Sequence, residues 1–86
     1  MALETVNVSV NTSTWVQVGD NVTALTMTET LVGDIKVHVV ANGGTAPSST
    51  AAAYQWWDKE YTYSGSAADI YVLSPNGATE VGVVRE

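Results

Sequence analysis

Val6-Asn7-Val8-Ser9-Val10-Asn11 alternates an apolar with a polar side chain at every step. A period of two is the signature of a strand with one face buried and one face wet. Moving outward, Asn11-Thr12-Ser13 is a cluster of turn formers, and Trp15-Val16-Gln17-Val18 resumes the alternation. Gly19-Asp20-Asn21 reads as a second interruption. Leu25, Met27 and Leu31 then alternate with Thr26, Thr28 and Thr30, and such dense β-branching favours a pleated strand over a helix. Ile35, Val37 and Val39 share one face of a further strand, with Lys36, His38 and Val40 on the other. Leu31 to Ile35, across Gly33-Asp34, is expected to be a tight hairpin connection.

Asn42 to Thr50 is small and polar with Gly and Pro, and reads as the longest loop. Thr50 is placed to cap a short helix through Ala51-Ala52-Ala53. Tyr54, Trp56, Trp57, Tyr61 and Tyr63 instead pull the following stretch towards strand, and Ser64-Gly65-Ser66 reads as a turn. Ile70-Tyr71-Val72-Leu73 is a short apolar strand, Asn76-Gly77 a hairpin tip, and Val81, Val83 and Val84 belong to the last strand. The expectation is an all-β protein, a small antiparallel sandwich or barrel of about seven strands, forming a single domain over residues 1–86.

At 86 residues the core is small, and a chain of this size buries only about 60–65% of the surface it exposes when unfolded. Disulfides and Cys-ligated metals are excluded by the absence of Cys, and the one His cannot supply a multi-histidine site. Self-association is the remaining stabiliser. Nine carboxylates against three basic residues give a net charge of −6, which repels nucleic acid. Charged residues make up only 14% of the chain, while Thr and Ser number eleven and seven. Sheet faces of that composition suit contact with other protein. Residues 1–5 lack the basic start and apolar run of a signal peptide, and no run of 18 apolar residues occurs, so a soluble, cytoplasmically made chain is expected. On that expectation the sequons at Asn7, Asn11 and Asn21 are by-products of the polar faces.

Few side chains suggest chemistry. Asp58 and Glu60 lie two apart and would point the same way on a strand, which reads as a solvated edge that discourages aggregation. His38 has no Gly-x-Ser-x-Gly elbow to serve, and the turn acids Asp20 and Asp34 lack the density of a calcium loop. No catalytic, metal-binding or cofactor-binding residue is assigned. Five of the seven aromatics fall between Tyr54 and Tyr63. On a strand, adjacent Trp56 and Trp57 face opposite ways, so one can fill the core while the other needs a second buried surface. Interface centres are rich in Trp and Tyr, and Trp56, Trp57, Tyr54, Tyr61 and Tyr63 are the expected interface. An exposed aromatic platform stacking on sugar rings is the alternative.

The order of motifs resembles the small β-modules of tailed-bacteriophage virion proteins. The motifs in question are the Val-rich opening strand, Trp15-Val16-Gln17-Val18, Gly33 to Val40, Thr45-Ala46-Pro47, Tyr61 to Gly65, Ile70-Tyr71-Val72 and Asn76-Gly77. The Trp56-Trp57 pair falls outside that pattern. The resemblance implies a non-enzymatic capsid-decorating, head-fibre or tail-adaptor component, made in a bacterial cytoplasm and residing in the virion. Its partners would be copies of itself, commonly as a homotrimer, and other virion proteins such as capsid, with a cell-surface sugar as the alternative ligand.

Overall fold

A computed structural model describes residues 3–29, 34–48 and 54–86. Within them the chain forms six strands: β1 (Glu4–Val10), β2 (Val16–Thr28), β3 (Ile35–Ala41), β4 (Gln55–Trp57), β5 (Glu60–Leu73) and β6 (Thr79–Arg85). They make one antiparallel sheet in the order β1-β6-β2-β5-β3-β4, which does not close into a barrel. The all-β expectation holds, with six strands in place of about seven.

The difference in number has a local cause. Gly19-Asp20-Asn21 does not end a strand but forms bulges inside β2, whose register against β5 shifts at Gln17/Gly19, Gly19/Val22 and Val22/Ala24. The first two shifts add a residue to β2, and the third adds residues to β5 around Gly65. Ser64-Gly65-Ser66 is thus also a bulge where a turn was expected. Bulges bend a strand and increase its twist. They also reset the alternation, so Val18, Val22, Leu25 and Met27 all reach one core despite the change of parity between Val22 and Leu25.

Every strand feeds that core. Val10 of β1, Ile35 and Val37 of β3, Trp57 of β4, Ile70 and Val72 of β5, and Val81 and Val83 of β6 join the β2 residues in one buried cluster. Strands at opposite edges of a sheet meet in one cluster only if the sheet curls around it. The Ser74 amide, just past β5, donates to the Asn11 carbonyl just past β1 across 3.0 Å, which fastens the curl.

Turn chemistry located the corners better than it located the partners. Asn11 Oδ1 accepts the amides of Ser13 and Thr14 at 3.0 and 2.7 Å, the side-chain-closed turn that Asn favours. Ser74 to Gly77 does turn, with the Gly77 amide donating to the Ser74 carbonyl. The strands it joins are not neighbours, however, because β2 lies between β5 and β6. Likewise β5 lies between β2 and β3, so the expected hairpin from Leu31 to Ile35 is overturned; residues 30–33 themselves, and the expected helix at Ala51-Ala52-Ala53, lie outside the described residues. A turn fixes where the chain reverses, whereas pairing is decided by which apolar faces meet across the core.

Candidate functional site

β4 is three residues long and sits at the edge of the sheet, paired among the described residues with β3 alone. Its register sets Trp57 beside Ile35 and Trp56 beside Lys36. Alternation then separates the two indoles. Trp57 points into the core at 6% exposure, with its ring 6.2 Å from that of Tyr61. Tyr61 and Tyr63 both pack against the core cluster, and burial, with a smaller effect from Tyr63, pushes the Tyr61 hydroxyl above its ordinary pKa. Trp56 points outward at 48% exposure. Tyr54 meets it edge to face, centroids 5.5 Å apart and planes at 88°. Lys36 Nζ lies 4.3 Å from the centre of the Tyr54 ring and 5.5 Å from that of Trp56. Cation–π contacts of this kind at a surface contribute about 0.5–1 kcal/mol each.

The five expected interface residues therefore divide. Tyr54 and Trp56 form an outward knob with Lys36, while Trp57, Tyr61 and Tyr63 face the core. Between the groups the chain bends at Asp58-Lys59, where Lys59 adopts a φ of 71°. The Glu60 amide donates to the Asp58 carbonyl at 2.8 Å. Asp58 and Glu60 thus flank a corner and do not share the face of a strand. Glu29, a buried carboxylate at the end of β2, braces the corner: its Oε1 accepts the Lys59 amide at 3.3 Å, and its own amide donates to the Lys59 carbonyl at 3.1 Å.

Two further groups escaped the sequence reading. Asp69, buried on β5, accepts the Asn21 amide and the Asn42 side-chain amide on Oδ1, both at 2.9 Å, and the Gly43 amide on Oδ2 at 3.1 Å. These donors, the Asn21 amide foremost and the Asn42 side chain next, hold its carboxyl below its ordinary pKa. It ties the β2 bulge to the loop after β3. With both oxygens engaged by N–H donors it is a structural pin, and a lone Asp between Ala68 and Ile70 gives no hint of that in one dimension. His38 lies on the outer face of β3, with its ring 5.9 Å from the edge-on Trp15, whose Nε1 donates to the Ser48 carbonyl at 2.8 Å.

The second missed feature is a groove of about 670 Å³ on the outer face of β1, β6 and β2. Gly82 forms its floor, paired with Asn7 on one side and Thr28 on the other. Ser9, Glu29 and Glu80 also line it. A missing side chain in the middle strand creates the depression, so only the register, and not the motif Val81-Gly82-Val83, reveals it.

Among known families, curated proteins and solved structures, none matches this chain.

Proposed function

We propose that the chain is a non-enzymatic assembly module that binds copies of itself and neighbouring proteins of a particle, as a small virion component of the decoration, head-fibre or tail-adaptor type. One observation carries this reading. Trp56, the costliest side chain to leave in water, stands about half exposed on an edge strand, propped by Tyr54 and Lys36 while its neighbour Trp57 is already spent on the core. Interface hot spots are drawn from Trp, Tyr and Arg. The small core and the low charge density of the chain point the same way. The phage setting rests on the resemblance of the motifs.

The sugar platform is the weaker reading. Stacking on a pyranose uses open ring faces lying in one plane, whereas Tyr54 and Trp56 stand at 88° and Lys36 already sits over both.

Light scattering across a hundredfold dilution tests the proposal. The expected result is an oligomer, with three copies favoured, whose melting temperature rises with concentration as linked association requires. Trp56→Ala should weaken assembly by about 2 kcal/mol or more. A monomer throughout, melting independently of concentration, would refute the reading.

A further inference from the structure

We infer that the knob of one copy, Trp56 with Tyr54 and Lys36, docks into the Gly82 groove of the next copy, so that subunits join head to tail. The inference rests on the reading of Trp56 as an assembly contact and names the surface that receives it. Knob and groove lie on different strands, with β2, β5 and β3 between β6 and β4. Unless the same two copies return the contact about a two-fold axis, knob meeting groove is heterologous and generates a closed ring or an open filament.

Three features of the groove fit this occupant. It is an open groove of about 670 Å³, with room for an indole and part of a phenol to lie along it. Its charge is complementary. Lys36, one of three basic residues in the chain, travels with the knob, and the groove presents the exposed carboxylate of Glu80. Opposed charges of this kind steer encounter and fix register. Finally, the side chain absent at Gly82 is not required by the fold. Its backbone has no left-handed φ, and a Cβ there would meet only Thr28 Oγ1 at 3.5 Å and Asn7 Oδ1 at 3.8 Å, ordinary contact distances. A strand interior is weakened by Gly, so an open floor at this position has a use outside the monomer.

That last point makes the test clean. Gly82→Val fills the groove at a site where a β-branched residue suits the strand, so monomer folding, read by circular dichroism, should be kept. Glu80→Arg, at an exposed position, sets a like charge against Lys36 and serves as a second occluding variant. Trp56→Ala removes the knob and leaves the groove. Each variant alone should lose self-association by about thirty-fold or more. Mixing Trp56→Ala with Gly82→Val should then yield a one-to-one heterodimer and nothing larger, because one partner supplies only a groove and the other only a knob. If Trp56→Ala dissociates while both Gly82→Val and Glu80→Arg keep the parental mass, the groove is not the receptor; this inference falls and the assembly role of Trp56 stands. If all variants are monomeric and the mixture forms no heterodimer, the contact is not head to tail and the inference falls. A wild-type chain that is monomeric at every concentration removes both this inference and the function it builds on.

Discussion

The indole N–H of Trp57 is buried with no acceptor among the described residues. An unmet donor in a core costs about 1–3 kcal/mol, while the ring itself is worth more through packing. Trp57→Ala should therefore destabilise by about 3–5 kcal/mol, whereas Trp57→Phe should stay within about 1 kcal/mol of the parent, because the loss of the orphaned donor offsets the smaller ring. Denaturant titration of the two variants checks this, and a Phe variant as damaged as the Ala variant would mean the N–H is satisfied after all. Asp69 poses the opposite case, a carboxylate over-supplied with donors. Its pKa is lower in the fold than in the open chain, so it binds a proton more readily when unfolded. The stability it contributes is complete above its ordinary pKa of about 3.9 and is lost as pH falls through that value towards its folded one. Melting curves between pH 7 and pH 2 should show this acid limb, and Asp69→Asn should lower the plateau near neutrality and flatten the limb.

β2 and β5 carry the shape of the sheet, since their paired bulges let two long strands bend together around the core. Asn21 holds the β2 bulge at a φ of 58°, a left-handed conformation that costs a typical residue about 1–2 kcal/mol and that Asn and Gly tolerate. Asn21→Val is expected to lower stability by at least that amount, and Asn21→Gly to remain within about 1 kcal/mol, as measured by chemical unfolding. Equal losses in both would show that the Asn side chain, and not the backbone, secures the bulge. The same strands mark the limit of what could be read from residues alone. Alternation at Val6 to Val10 and Ile35 to Val39 located β1 and β3, and the opposed directions of Trp56 and Trp57 followed from their adjacency. Gly19-Asp20-Asn21 and Ser64-Gly65-Ser66 look the same whether the chain reverses or bulges, because both need flexible, polar residues. Which occurs depends on a distant partner strand, and at Asn21 the bulge is held from Asp69, 48 residues away. That Tyr54 and Trp56 share a side was legible because they are close in sequence; the addition of Lys36 from β3 and the Gly82 groove, whose walls come from β1 and β2, were not.

For the molecule as a whole, a net charge of −6 opposes the gathering of copies at low ionic strength. If apolar contact at Trp56 drives assembly, moderate salt should strengthen it by screening this general repulsion within about 10 Å, until the local attraction of Lys36 is screened in turn. Sedimentation at several salt concentrations should thus show a maximum in association, and a steady decline from the lowest salt upward would assign the binding mainly to charge. The position of β6 has a further consequence. It is the last of the six described strands in chain order, yet it lies between β1 and β2, paired with β1 along its whole length from Glu4–Arg85 to Val10–Thr79. β1 thus has no seat in the sheet until β6 has been made. A chain emerging from the ribosome can join β2 to β5 and β5 to β3, but β1 must wait, and the Gly82 floor does not yet exist. Creation of the receiving groove therefore waits on the pairing of β6, so a nascent chain cannot be captured by a finished neighbour through that groove before β6 has joined the sheet.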